Sequence, residues 1–236
     1  MRFAYCTLQL LPNTMLKALT PLNLPPDVPD TVEVWLLDID AATPRLPATL
    51  ALLGVDEHVR YQRYHHPADA QRFALTRAAL RQLLAAKLGR EATSLHFSHG
   101  FHGKPALSDS TLHFNVSHSG QYGLIAISTT HSVGIDIERH ADKPPLEVLA
   151  SPIFTQAERD YCANDSARFY ALWCGKEAMI KVCGTGFSMD RDLPSTLPPG
   201  NDNYTVQQGT KVWSLSVARH YTGALAVPHC SATLRT

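Results

Sequence analysis

The chain has 236 residues, of which 44% are apolar and 18% charged, and 21 basic residues balance 21 acidic ones. This composition is typical of a folded globular protein, and a zero net charge gives no overall field to attract nucleic acid or an anionic membrane. No apolar run reaches the roughly 18 to 20 residues of a transmembrane helix, and no signal peptide is recognised at the start. We therefore expect a cytoplasmic protein with neither nucleic acid nor membrane as a partner.

Cysteines and histidines form no metal-binding pattern. The five cysteines include neither a C-x-x-C pair nor the spacing of a zinc site, so we expect reduced thiols. Most of the 12 histidines stand alone, and the pairs at 65–66 and 96–99 lack a matching set nearby. Surface or core histidines explain them better than metal ligands do.

The first part of the chain predicts one long helix among strands. Residues 31–40, TVEVWLLDID, are rich in β-branched and aromatic residues and predict a strand. Residues 67–89 carry apolar side chains at steps of three and four, with Asp69 near the start and Gly89 at the end, and predict an amphipathic helix. Further strand-like segments separated by turn residues predict an antiparallel meander. These segments span residues 94–100, 112–118, 121–128 and 133–138.

The pattern breaks at residues 139–152, where a Pro-Pro pair makes this stretch the best candidate for a linker. Thr155, followed by Glu158 three residues later, has the spacing of a capping box and predicts the start of a helix.

A second helix is predicted over residues 166–184 and ends at Gly184 or Gly186. A proline-rich loop at 192–202 and strands within 211–228 complete the chain. Groups of strands with long helices between them indicate an α+β fold rather than a parallel sheet.

The segment VGIDIE places Asp136 and Glu138 two residues apart. In a strand these two side chains share one face, while Val133, Ile135 and Ile137 point into the core. Like charges on one face repel each other, so the alternatives are a solvated face or a cation site. Mg²⁺ is the favoured cation, because it binds carboxylate oxygens and keeps positions open for water and phosphate.

The helical segment LWCGKEAMIK places Trp173, Glu177 and Lys181 on one face, so that Glu177 and Lys181 can pair. A surface ion pair, worth about 0.3 to 0.5 kcal/mol, is one explanation. The apolar neighbours argue against it, because an ionised glutamate in that setting needs a cationic partner or a metal. A third carboxylate reaching the strand pair would meet this need. Lys176 lies on a different face and is either structural or near a partner.

Two further segments carry candidate anion ligands. Lys104, between Gly103 and Pro105, can point its ammonium group at a phosphate, although a loop lysine without this role is commoner. Ser117 and His118 do not predict a serine hydrolase, because adjacent strand residues face opposite ways and the G-x-S-x-G elbow is absent. We interpret both as hydrogen-bond donors to an oxyanion.

Four motifs in a fixed order resemble those of the Sfp-type 4′-phosphopantetheinyl transferases. They are HGKP at 102–105, FNVSHSG at 114–120, VGIDIE at 133–138 and FYALWCGKEAMIKVCGTGF at 169–187. The resemblance covers about residues 56–187 and includes every polar member of the family pattern. It implies an enzyme that transfers 4′-phosphopantetheine from coenzyme A to a serine of an apo carrier protein, with Mg²⁺, leaving 3′,5′-ADP.

The resemblance also implies the roles of the carboxylates and of one lysine. Asp136, Glu138 and Glu177 would bind the Mg²⁺ that holds the pyrophosphate of coenzyme A. Glu177 would also be the general base for the carrier serine. Lys181 would neutralise charge on the phosphate oxygens or protonate the departing 3′,5′-ADP.

Further family positions imply contacts to coenzyme A. Ser117 and His118 match positions at its phosphates, with His118 near the 3′-phosphate. Lys104 and Pro105 match the G-K-P loop, in which the lysine binds phosphate.

Arg72 matches the basic position that opens the long helix, and Arg60 matches a residue at the 3′-phosphate. The family often carries a lysine where this chain has Glu57, so the chain departs from the family pattern at one position close to the 3′-phosphate.

The family's fold consists of two similar α+β halves related by a pseudo-twofold axis, with coenzyme A in the cleft between them. The resemblance therefore predicts an N-terminal half at residues 1–131 and a C-terminal half at 132–236 that carries the metal carboxylates. The family's shorter relatives must form trimers to build this cleft. Because this chain has both halves, we expect a monomer.

Two other functions stay open as alternatives. A Mg²⁺-dependent nucleotide or coenzyme A pyrophosphatase could use the same carboxylates and would need no acceptor protein. A non-catalytic module that binds coenzyme A or a carrier would be expected to lack at least one of the four catalytic or metal residues. The acceptor could be an acyl carrier protein of fatty-acid synthesis or a peptidyl or aryl carrier domain of secondary metabolism.

Overall fold

The structure, a computed structural model, describes residues 17–100, 103–143, 145–149, 151–162, 165–183, 195–197, 204–207 and 209–228. Within this part of the chain the strands are β1 (Leu19–Pro21), β2 (Val32–Asp38), β3 (Phe97–His99), β4 (Pro105–Leu107), β5 (His113–Ser119), β6 (Tyr122–Ser128), β7 (Gly134–Arg139), β8 (Tyr204–Gln207), β9 (Thr210–Ser216) and β10 (Tyr221–Pro228). The α-helices are α1 (Ile39–Ala42), α2 (Leu46–Leu50), α3 (Val55–Gln62), α4 (Pro67–Leu88), α5 (Leu146–Leu149), α6 (Gln156–Cys162) and α7 (Ser166–Cys183). The predicted α+β fold is confirmed.

The described strands form two four-stranded antiparallel sheets and one small hairpin. The first sheet has the order β1-β2-β6-β5 and the second has the order β7-β10-β9-β8, while β3 pairs with β4. The predicted meander is confirmed for β5 and β6, which pair antiparallel, but it is wrong for β3, which pairs with β4, and for β7, which pairs with β10. Short turns between strand-like segments fix their spacing along the chain but not the sheet each one joins.

The helix α4 was predicted correctly in its bounds but not in its exposure. Pro67 occupies its first turn, and Gly89 ends it in the left-handed conformation with φ of 63°. Every residue from 73 to 85 is buried, so the helix is enclosed by the first sheet and by α2 and α3 rather than exposing a polar face. Its buried arginines, Arg77 and Arg81, are tolerated because both contact Glu57 of α3.

The second sheet is covered by α7, which packs against β7 and β10. The capping box that opens α6 is confirmed, since Thr155 Oγ1 accepts a hydrogen bond from the Glu158 N–H and Glu158 Oε2 accepts one from the Thr155 N–H. The predicted ends of α7 at residues 184 and 186, and most of the proline-rich loop, lie outside the described residues.

The two large sheets meet where β5 runs beside β7. The side-chain oxygen of Asn115 on β5 accepts a hydrogen bond from the N–H of Ile135 on β7 at 2.9 Å, and both residues are buried. A strand from the first sheet thereby lies next to the strand that carries Asp136 and Glu138. Among the described helices, none is both long and apolar enough to cross a membrane.

Candidate active site

The candidate site lies where β7 and α7 come into close contact. A Cβ atom on Gly134 would overlap the carbonyl oxygen of Ala178 and lie 2.7 Å from the backbone nitrogen of Val182. Only a glycine at this position lets the strand approach the helix so closely. This approach brings Asp136 on the strand next to Lys181 on the helix.

Lys181, Asp136 and Ser117 form the centre of the site. Lys181 Nζ lies 2.6 Å from Asp136 Oδ1, and Ser117 donates a hydrogen bond of 2.7 Å to the same oxygen. Ser117 Oγ also lies 3.3 Å from Lys181 Nζ. Burial works against the ammonium group, but the Asp136 carboxylate and, less strongly, Glu177 hold the pKa of Lys181 above its ordinary value. Lys181 is therefore a permanent cation in this site.

Glu138 and Glu177 complete the group of acidic side chains. Ser119 donates a hydrogen bond of 2.8 Å to Glu138 Oε2, and Glu177 Oε2 lies 4.0 Å from Lys181 Nζ. Burial and the charge of Asp136 raise the pKa of Glu138, and the same two causes raise that of Glu177 although Lys181 opposes them. These carboxylates are thus held close together at an electrostatic cost, which is common at functional sites.

The donor set fits a hard divalent cation that also binds a ligand. Asp136 is 2% exposed, and its Oδ2 atom has no hydrogen-bond partner among the described residues. A buried carboxylate oxygen without a partner is costly, and a cation would satisfy it. No three His, Cys, Asp or Glu side chains of the described chain form a ready-made metal cage. Mg²⁺ needs no such cage, because it is usually held by one or two carboxylates together with water and substrate phosphates.

Lys104 lies at the C-terminal end of α7 rather than among the carboxylates. Its Nζ atom is 2.6 Å from the carbonyl oxygen of Lys181 and 3.2 Å from that of Val182. Both Lys104 and Pro105 line a cavity of about 330 Å³ that also includes His113. Their predicted contact with coenzyme A remains a prediction.

His118 and Arg72 lie on the α4 side of the site. Burial lowers the pKa of His118, and the charges of Arg72 and Lys181 lower it further. In the absence of an anion, this environment therefore favours the neutral imidazole of His118. Arg72 pairs with Asp69 one turn earlier in α4. A phosphate group near both residues would favour the charged imidazole, as expected of an anion site.

Arg60 belongs to a second group of basic residues. Its guanidinium lies 5.0 Å from the ring centre of Phe73, and it lines a cavity of about 360 Å³ together with Arg77 and Arg81. Glu57 binds Arg81 at 2.7 Å and also accepts a hydrogen bond from the Gly54 N–H. Glu57, which stands where the family often has a lysine, is thus neutralised by Arg77 and Arg81 of α4.

Sequence reasoning missed two polar features beside the predicted site. One is Ser119, which is the hydrogen-bond partner of Glu138 and could have been found from its place two residues after Ser117 on the same strand face. The other is the ion pair of Lys176 with Glu158 at 2.9 Å, in which both side chains are almost completely buried. Lys176 is therefore a structural residue, whose partner stands 18 positions away and gives no local signal.

Known protein families match both parts of the chain. A family profile described as "4′-phosphopantetheinyl transferase, N-terminal" matches residues 41–130, and one described as "4′-phosphopantetheinyl transferase superfamily" matches residues 132–228. The 4′-phosphopantetheinyl transferase HetI of Nostoc sp. is 32% identical over 195 residues, which are 79% of this chain and 81% of that protein.

Two further relatives align over shorter segments. A protein of Synechocystis sp. named as a 4′-phosphopantetheinyl transferase is 39% identical over 66% of each chain. The 4′-phosphopantetheinyl transferase Sfp of Bacillus subtilis is 31% identical over 61% of this chain and 65% of its own length. The aligned segments thus span just under two thirds of these two relatives. The chain belongs to the 4′-phosphopantetheinyl transferase family, as the motifs predicted.

Proposed function

We propose that this protein transfers the 4′-phosphopantetheine group of coenzyme A to a serine of an apo carrier protein, leaving 3′,5′-ADP. The observation that carries the proposal is the convergence of Asp136, Glu138, Glu177 and Lys181 where β7 meets α7. Transfer of a phosphoryl-type group depends mainly on alignment and charge neutralisation, which carboxylates with a cation and a fixed lysine can supply.

Glu177 is proposed as the general base. Burial raises the pKa of Glu177 and Asp136 adds to this, although Lys181 opposes them, and a raised pKa suits a group that accepts a proton near neutral pH. The carrier serine hydroxyl would lose its proton to Glu177 as its oxygen attacks the β-phosphorus of coenzyme A. The bond between the β-phosphorus and the bridging oxygen of the pyrophosphate breaks, and 3′,5′-ADP leaves with that oxygen on its 5′-phosphate.

Lys181 is proposed to stabilise negative charge on the phosphate oxygens. Asp136 keeps its ammonium group protonated and fixed, so Lys181 suits charge neutralisation better than proton donation. Of the two roles that the family resemblance allows for Lys181, charge neutralisation is therefore the one proposed.

Asp136, Glu138 and Glu177 are proposed to hold Mg²⁺, although these three side chains do not form a ready-made three-ligand site in the structure. When bound, Mg²⁺ supplies positive charge at the pyrophosphate and helps to orient it. The unpartnered Oδ2 of Asp136 and the raised pKa values of the two glutamates support this assignment.

Ser117 and His118 are proposed to contact the phosphates of coenzyme A, with His118 near the 3′-phosphate. Arg60 is proposed to contact the 3′-phosphate as well, and Arg72 to be the basic residue that opens the long helix beside the site. The support for Arg72 is its effect on the pKa of His118. The support for Arg60 is its exposed position among further arginines, where Glu57 is already neutralised.

The acceptor is proposed to be an acyl carrier protein or a peptidyl or aryl carrier domain, and the protein to act as a cytoplasmic monomer. The division into halves at residues 131 and 132 and their pseudo-twofold relation are proposed as well. They are supported by the two separate four-stranded sheets, whose strands come from before and after this point in the chain.

The test measures 3′,5′-ADP released from coenzyme A and Mg²⁺, with and without apo carrier proteins of the acyl and peptidyl types. We expect release only with a carrier, and none with a carrier whose acceptor serine is replaced by alanine. Equal release without a carrier would instead indicate a pyrophosphatase. Binding of coenzyme A without any product would indicate a non-catalytic binding module.

A further inference from the structure

Among the described residues, four oxygen atoms form a cradle around the ammonium group of Lys104. Two are the carbonyl oxygens of Lys181 and Val182, in the last turn of α7. The other two are the carbonyl oxygen of Val133 and the hydroxyl oxygen of Ser132, each at 3.1 Å. The Ser132 hydroxyl itself donates a hydrogen bond of 2.9 Å to the carbonyl oxygen of Val182, so the cradle is internally connected.

The cradle joins the two elements that carry the candidate catalytic groups. Val133 directly precedes β7, which carries Asp136, while Lys181 belongs to α7. Carbonyl groups in the last turn of a helix have no intrahelical partner and lie at its negative end, so a lysine there is favourable. The ammonium group of Lys104 therefore holds the start of the strand and the end of the helix together.

We propose that Lys104 is a positioning residue for Lys181, a role that rests on the proposed transferase function. It fixes the backbone of Lys181 through its carbonyl oxygen, and so sets the direction in which the Lys181 side chain reaches Asp136. This role differs from that of a phosphate ligand, which would leave the cradle oxygens without their cation whenever coenzyme A is bound. Positioning predicts an effect on the rate of transfer, whereas phosphate binding predicts an effect on the affinity for coenzyme A.

The test compares wild type with Lys104→Met and Lys104→Arg in steady-state transfer to a carrier, together with the melting temperature of the ligand-free protein. For Lys104→Met we expect kcat to fall about tenfold or more with a KM for coenzyme A within about twofold of wild type, since small misplacements of catalytic groups are costly. The melting temperature should fall as well. Lys104→Arg should not restore kcat, because the planar guanidinium does not match a cradle built for a compact ammonium group.

Two further variants provide a second test of the inference and a matched control. Ser132→Ala removes one of the oxygen atoms around the Lys104 ammonium group. It should lower kcat and the melting temperature less than Lys104→Met does, with the KM for coenzyme A again little changed. This variant tests the inference if Lys104→Met does not fold. Lys87→Met is the matched control, because Lys87 is a half-buried lysine in the last turn of α4 that pairs with Glu33 at 2.7 Å. It should lower the melting temperature and leave kcat and KM unchanged.

The opposite result would overturn the inference. If Lys104→Met raises the KM for coenzyme A with little change in kcat or ligand-free melting temperature, and Lys104→Arg restores it, Lys104 is a phosphate ligand. Absence of transfer by the wild type would refute the proposed function itself, which separates that failure from the failure of this inference.

Discussion

Lys181 Nζ and Asp136 Oδ1 lie 2.6 Å apart and join α7 to β7 through an ion pair. Asp136 is 3% exposed at its side chain, whereas Lys181 is 26% exposed. The carboxylate therefore depends on the lysine for its charge balance more than the lysine depends on the carboxylate. This asymmetry determines how the two residues should respond to substitution.

We expect Lys181→Met to destabilise the ligand-free protein by about 1 to 3 kcal/mol. Removing the partner of a fully buried charge costs about 3 to 5 kcal/mol, and the partial exposure of Lys181 reduces this. Urea unfolding measures the effect. The double variant Lys181→Met with Asp136→Asn should lose less than the sum of the two single variants, and strict additivity would contradict a direct pair.

Mg²⁺ should partly replace the missing charge in Lys181→Met. The melting temperature of Lys181→Met should rise when Mg²⁺ is added, whereas that of Asp136→Asn should not. Equal responses of the two variants to Mg²⁺ would show that Asp136 does not take part in cation binding.

Gly134→Ala should abolish the close contact of β7 with α7. Because the added Cβ would overlap the Ala178 carbonyl oxygen, we expect a loss of several kcal/mol or failure to fold. Soluble yield and urea unfolding measure this outcome. Gly89→Asn is the control, since position 89 is left-handed but open, and asparagine tolerates that conformation. A Gly134→Ala protein as stable as Gly89→Asn would contradict the tight packing.

The buried pair of Lys176 with Glu158 predicts a strong double-mutant effect. Lys176→Met should cost about 3 to 5 kcal/mol, because it leaves the Glu158 carboxylate buried without its cation. Adding Glu158→Gln should recover part of that loss, although Glu158 also accepts hydrogen bonds from the N–H groups of Thr155 and Thr196. Urea unfolding of wild type, Lys176→Met, Glu158→Gln and the double variant gives the coupling energy between the two residues. A coupling energy near zero would exclude a direct pair.

His118 predicts a loss of stability in acid. Its pKa is lowered in the folded protein by burial first and by nearby cations second. A lowered histidine pKa contributes stability that is present above the unfolded value, about 6.5, and is lost as the pH falls through the folded pKa. Between pH 7.5 and pH 5, wild type should therefore lose more unfolding free energy than His118→Gln.

The exposed His65 supplies the control for this experiment, since His65→Gln should lose as much stability as wild type over the same range. A saturating concentration of coenzyme A should reduce the acid loss of wild type, because a phosphate favours the charged imidazole. If His118→Gln and wild type lose equal stability, His118 is not held in its neutral form.

Local sequence signals gave a correct prediction for much of the fold. The capping box at Thr155 and the terminal Gly89 depend only on neighbouring residues, so both could be read along the chain. The pairing of β7 with β10 could not be predicted in this way, because residues 140–220 separate the two strands and any apolar strand could have occupied that place.

The candidate site could likewise be predicted from the sequence only in part. The strand period places Asp136 with Glu138 and the helix period places Glu177 with Lys181, so each pair follows from local geometry. The prediction that these two pairs lie together came from the family resemblance and not from the spacing of the residues along the chain. The position of the Lys104 ammonium on the end of α7 depends on backbone oxygens, which leave no trace in the sequence.

The central claim is tested most directly by the intact mass of an apo carrier protein after incubation with coenzyme A, Mg²⁺ and either wild type or Glu177→Gln. We expect the carrier to gain the mass of one phosphopantetheine arm with wild type, and to gain it at least about a hundredfold more slowly with Glu177→Gln, because a general base contributes roughly 10² to 10⁴ in rate. The gain should disappear when Mg²⁺ is chelated. An unmodified carrier with wild type, or an equal rate with a folded Glu177→Gln, would contradict it.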